Sequence, residues 1–150
     1  MDNYKERITA ITLPDSIETL PEQLFSNCTL LSSITLPKYI KVIPKRFLYR
    51  CSSLTELYIP EGVQSIENSA ISYTGISQIT LPSSVISLGY RALGYNPFTD
   101  VTVKSLAPPV ADDYVLGKDR DFILRVPMSA IDAYKAAEGW SIYSLQMVGW

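Results

Sequence analysis

The sequence predicts a solenoid. Its coils form a right-handed β-α superhelix, with short parallel strands on a concave face and short helical or 3₁₀ turns on the convex side. A strand-helix cap closes the C-terminal end. Three observations predict this. Four segments share one pattern: ITLPDSIETL from Ile11, ITLPKYIKVI from Ile34, LYIPEGVQSI from Leu57 and ITLPSSVISL from Ile79. Their prolines, Pro14, Pro37, Pro60 and Pro82, fall 23, 23 and 22 residues apart. Apolar residues also recur at fixed places in every unit. A unit this short cannot bury them alone, but stacked units make one continuous core.

Within a unit, Leu31, Ile34 and Leu36 correspond to Leu54, Leu57 and Ile59, to Ile76, Ile79 and Leu81, and to Phe98, Val101 and Val103; Ile8, Ile11 and Leu13 begin the series. The last three positions alternate apolar, polar, apolar, the period of a strand with one buried face. The proline that follows ends the ladder, because it has no N–H to donate. VTVKSL from Val101 keeps the strand pattern but carries Lys104 in the proline's place. Next comes a second apolar pair (Ile17/Leu20, Ile40/Ile43, Val63/Ile66, Val85/Leu88), expected as a short extended segment that turns the coil. The pairs Leu24/Phe25, Phe47/Leu48, Ala70/Ile71 and Ala92/Leu93 then point inward from a helical or 3₁₀ piece. Pro21 and Pro44 suit the first position of such a piece.

The tail reads differently. The paired prolines of SLAPPV (Ser105–Val110) break the pattern, and DFILRVP (Asp121–Pro127) supplies one more strand. A helix is expected from Ser129, with Asp132 in a capping-box position and Gly139 as its terminator. Ile131 and Tyr134 share its inner face, and Trp140, Ile142, Tyr143, Leu145 and Val148 add cap surface. Residues 1–106 are therefore assigned to an array of four to five coils and 107–150 to a C-terminal capping segment. The front end, MDNYKER, offers no comparable device. The expectation is either further repeats or a domain upstream in a longer protein, or a front edge that finds a partner, self-association included.

Composition narrows the function. The chain has 150 residues, 47% of them hydrophobic, which is enough for a real core. Thirteen basic and 15 acidic side chains leave a net charge of -2 with no Lys/Arg run, so neither nucleic acid nor an anionic membrane is an expected partner. With no histidine, histidine triads and histidine metal sites are excluded. No apolar run is long enough to span a bilayer, and the N-terminus lacks a signal peptide's apolar stretch. No phosphate loop, nucleophile elbow or paired-carboxylate motif is present, so the chain is not expected to be an enzyme and no cofactor or metal is assigned.

The unit LSSITLPKYIKVIPKRFLYRCSSL, from Leu31 to Leu54, resembles the BspA-type leucine-rich repeat. The resemblance runs from about Ile8 to Val103, and the Val-Pro, Ala-Tyr-Lys and Gly-Trp steps of the tail are similar to the ends of gut-anaerobe members. Ser16, Tyr39, Gly62 and Ser84 replace the asparagine of commoner leucine-rich repeats, so no asparagine ladder is expected. The resemblance implies a cell-surface or secreted protein of gut or oral bacteria. It further implies adhesion through a protein ligand of the host extracellular kind, held on the concave face.

The outward strand positions are then the candidate site: Thr12, Ser33, Thr35, Glu56, Tyr58, Gln78, Thr80, Asp100 and Thr102. Tyr58, the one large amphipathic side chain among them, is the expected hot spot. A competing reading makes the chain a glycan-binding module using Tyr39, Tyr49, Tyr73, Tyr90 and Tyr95; another makes it a spacer in a longer surface protein. Cys28 and Cys51 occupy equivalent places in adjacent coils and are expected as free, buried thiols. The carboxylates Asp112, Asp113, Asp119 and Asp121 near Gly117 read as a solvated loop, since they lack the ligand spacing of a calcium loop. Asn27-Cys28-Thr29 reads as a chance match to a glycosylation site.

Overall fold

The computed structural model describes residues 3–118 and 121–150, so Asp119 lies outside the described residues. Each coil has three legs. The first carries the concave strand: β1 (Ala10–Thr12), β2 (Ser33–Thr35), β5 (Gln78–Leu81), β7 (Asp100–Val103) and β9 (Ile123–Val126). The second carries a two-residue strand: β3 (Val42–Ile43), β4 (Ser65–Ile66), β6 (Ser87–Leu88) and β8 (Val110–Ala111). All pairings are parallel and keep the repeat register, as in Ile11↔Ile34, Ile66↔Leu88 and Ile79↔Val101. The second strands form one sheet in the order β3-β4-β6-β8, formed where the extended turning segment is expected. Because β8 and β9 join these sheets, the segment 107–150 begins with one more lap before its closing elements.

The third leg keeps the expected 3₁₀-type turns, with i→i−3 bonds such as Phe47 N–H to the Pro44 carbonyl at 3.2 Å and Ala92 N–H to the Gly89 carbonyl at 3.0 Å, but no continuous helix. In each repeat two residues four apart take left-handed backbone: Gln23/Asn27, Arg46/Arg50, Ser69/Tyr73 and Arg91/Tyr95, with φ between 51° and 64°. A left-handed residue turns its peptide groups away from the local chain, so no i→i−4 helix can form. Alternate groups bond along the solenoid axis. The N–H groups of Phe25, Leu48, Ile71 and Leu93 donate to the carbonyls of Phe47, Ala70, Ala92 and Val115 at 3.1, 2.8, 2.8 and 2.9 Å.

Both ends of this ladder are closed by tyrosine. The next N–H in the series, from Leu116, donates to the Tyr143 hydroxyl at 3.1 Å, and that hydroxyl donates to the Gly117 carbonyl at 2.7 Å. At the other end, the Tyr4 hydroxyl donates to the Leu24 carbonyl at 2.7 Å. Tyr4 belongs to a short 3₁₀ helix, Tyr4–Glu6. The front end therefore does carry a device on its turn face, which corrects the expectation of a bare polar lead.

The closing elements are a 3₁₀ turn (Met128–Ala130), α1 (Ile131–Ala136), a second 3₁₀ segment (Ser141–Gln146) and β10 (Met147–Gly149), which pairs with β9. Tyr134, Trp140 and Tyr143 are fully buried over the last coil. The expected capping box does not form: α1 begins at Ile131 with no side-chain cap bond. Leu145 is also misplaced as cap surface, being 92% exposed.

The core is the stacked series of inward residues, many of them wholly excluded from solvent. Ile79, buried in a central coil, is expected to cost about 2 kcal/mol on truncation to alanine, the low end of its class, because the adjacent third coil is free to relax toward the void. Ile8→Ala, at a partly buried front position, should cost a small fraction of that. Urea unfolding of the two variants checks the difference, and equal losses would contradict a linear stack of coupled coils.

Candidate functional site

The concave sheet is interrupted. Strands β1 and β2 form one piece and β5, β7, β9 and β10 another. Between them lies the third coil, Thr55–Ile59. Among the described residues, its backbone groups make no hydrogen bond to either neighbour. The break sits beside a change in the corner that precedes each concave strand. Cys51-Ser52-Ser53-Leu54 has two residues between slot and strand anchor, whereas Thr74-Gly75-Ile76 has one. The Gly75 N–H still reaches the Leu54 carbonyl at 2.8 Å, and a Cβ on Gly75 would stand 2.9 Å from the Ser52 carbonyl oxygen. Leu57 and Ile59 remain buried, so the third coil keeps its core contacts while its strand pairing is lost.

Over this break lies a groove of about 680 Å³. Seven of the nine candidate positions line it: Ser33, Glu56, Tyr58, Gln78, Thr80, Asp100 and Thr102. Thr12 and Thr35 are exposed on the same face but lie on the β1–β2 piece, outside the groove. Tyr58 rises from the unpaired coil with 75% of its surface exposed. The register explains the convergence. Thr80 pairs with Thr102 and then Arg125, and Gln78 pairs with Asp100 and then Ile123, so outward side chains stand in columns.

Three charged groups escaped the sequence reading. Arg125 Nε donates to Asp100 Oδ2 at 2.8 Å, and Lys104 Nζ lies 3.5 Å from Glu61 Oε1. Lys104 was legible as the residue standing where proline recurs, and Arg125 as the outward residue of the strand that Pro127 closes, 23 residues after Lys104. Glu56 has no ion-pair partner among the described residues, so the groove keeps one uncompensated carboxylate beside its exposed tyrosine.

The other candidates resolve into structure. Cys28 and Cys51 are free and buried. The Cys51 Sγ–H donates to the Phe25 carbonyl at 3.1 Å, and burial pushes its thiol up to about 12, with Cys28 adding to the shift. Burial likewise raises Cys28, with Lys5 opposing. Among the described residues no cluster of three or more metal-ligating side chains forms, and Asp112, Asp113 and Asp121 are exposed. Among the described residues no helix is long and apolar enough to cross a membrane.

A repeat solenoid with an open polar sheet face defines the class: a leucine-rich repeat module. Modules of this class are typically non-enzymatic binding scaffolds. The model of the BspA type leucine-rich repeat region matches residues 3–106 in six copies, and the chain belongs to that family. The fold is similar to a leucine-rich repeat protein from Bacteroides ovatus ATCC 8483, with 26% identity and a TM-score of 0.68 over 81% of this chain and 32% of that one. It is also similar to the T. pallidum leucine-rich repeat protein, with 24% identity and a TM-score of 0.63 over 79% of this chain and 58% of that one. The chain thus spans about a third and just under three-fifths of these two relatives. No curated protein matches the sequence.

Proposed function

We propose that this chain is a protein-interaction module of a bacterial cell-surface or secreted protein, acting without catalysis and holding its protein ligand in the concave groove. The observation that carries the reading is Tyr58: a large amphipathic side chain, 75% exposed, in a groove bounded by hydrogen-bonding side chains. Such a residue supplies contact area at low entropic cost, which is why tyrosine is enriched at hot spots. The lone carboxylate of Glu56 beside it favours a ligand segment that presents a basic side chain.

The test is binding to a panel of immobilised plasma and extracellular-matrix proteins. Tyr58→Ala is expected to weaken any saturable interaction by at least ~30-fold, and Thr80→Arg should weaken it by filling the groove. The groove assignment fails if both variants bind as the parent does.

A further inference from the structure

The turn face carries a second, differently built surface. Tyr73 lies between two other rings: its centroid is 5.4 Å from Tyr49 in an edge contact and 4.5 Å from Tyr95 in a stack. Guanidinium groups lie over this row. Arg46 and Arg50 are each 5.3 Å from the Tyr49 ring, Arg50 is 5.7 Å from Tyr73, and Arg91 is 5.0 Å from Tyr95. Among the described residues none of these three arginines belongs to an ion pair, in a chain whose net charge is -2.

The backbone does not call for these residues. Arg46, Arg50, Tyr73, Arg91 and Tyr95 all sit at left-handed φ, where glycine and asparagine are the low-cost choices. Asn27 fills the equivalent place in the first coil. Arginine and tyrosine there add strain that the fold itself does not need, and such strain collects at binding sites.

We propose that this ladder is a binding track for an acidic polysaccharide carrying a charge on alternate sugars. The ring faces are already taken up by one another and by guanidinium groups, so the row offers outward mainly N–H and O–H donors. Those donors suit anionic oxygens interspersed with hydroxyls and leave little ring face for stacking a neutral sugar. Arg46 and Arg91 hold equivalent places in the turns of the second and fourth coils, two rungs of roughly 4.8 Å apart. A pyranose ring spans about one rung, which sets the charges in step with the arginines. An extended acidic peptide repeats its same-side groups every ~6.7 Å and falls out of step with the rungs.

The test uses the full chain with hyaluronan and chondroitin sulfate as acidic glycans, and with dextran and polyglutamate as controls, by titration calorimetry. Saturable binding to at least one acidic glycan is expected, weakening as salt rises from about 0.01 M to about 0.15 M and the Debye length shrinks. Arg46→Asn with Arg91→Asn keeps side chains that tolerate the left-handed turn and should lower affinity at least ~10-fold, with circular dichroism confirming the fold. Arg46→Lys with Arg91→Lys should retain most of the binding, and Tyr58→Ala all of it, which separates this track from the concave groove. The proposal is overturned if neither acidic glycan binds, if the asparagine variant binds equally, or if dextran or polyglutamate binds as tightly.

Discussion

Trp140→Ala is expected to lower stability by about 3–5 kcal/mol through lost packing alone. Trp140 is wholly buried and meets Tyr134 edge-to-face at 5.3 Å. Its Nε1–H donates to the Pro109 carbonyl at 2.8 Å, so the truncation also leaves a buried acceptor unpaired. The approach to it is rigid. Gly139 has φ +77° and lies against the Ala111 backbone, where a Cβ would collide with the carbonyl. The loss should show first at the C-terminal end: in hydrogen exchange, β8 and β9 lose protection before β4 and β6, since each coil leans only on its neighbours. Trp150→Ala, at a 58% exposed position, is the matched control and should change the urea midpoint little. An unchanged midpoint for Trp140→Ala would mean that the closing elements do not stabilise the stack.

The parts legible in the sequence were those governed by local periodicity. Ile34, Ile79 and Val101 alternate with polar neighbours, and each lies in a concave strand in the register that repeat spacing implies. The second apolar pair announced an extended segment but not the sheet that these segments build, from whose strands Ile43, Ile66 and Leu88 face inward. The turn ladder was hidden because, Asn27 apart, its left-handed residues are arginine, tyrosine, serine and glutamine, which carry no conformational signature of their own. The Tyr4 contact was hidden because it joins residues 20 apart through a single hydroxyl, a placement that only the assembled coil defines. The groove occupies a middle position. Its polar columns follow from alternation, and the 22-residue step after Pro60 hinted at a break, but loss of pairing around Glu56 and Tyr58 depends on how two unequal corners meet.

One buried column joins these levels, and it yields the other large expected effect. Cys28, Cys51, Thr74 and Asn96 fill the same slot in successive coils. Small size and burial do not exhaust what the slot does, because Cys51 and Asn96 also donate from it. Cys51 reaches back to Phe25, and Asn96 Nδ2 reaches the Ile71 carbonyl at 2.7 Å and the Leu93 carbonyl at 2.9 Å. Asn96 Oδ1 in turn accepts from the Thr74 N–H and Thr74 hydroxyl, both at 2.8 Å. Among the described residues, no other bond is found for the Thr74 N–H or the Ile71 carbonyl, so Asn96→Ala should cost about 1–3 kcal/mol for each group it orphans. Asn96→Cys, which imports the donor used at Cys51, should recover part of that loss by bonding to Ile71. Urea unfolding of the two variants decides the matter. If Asn96→Ala proves as stable as the parent, water satisfies the column and the slot is a matter of size alone. If cysteine restores stability where alanine does not, the repeat selects this position for a hydrogen-bond donor that ties each turn to the one before it.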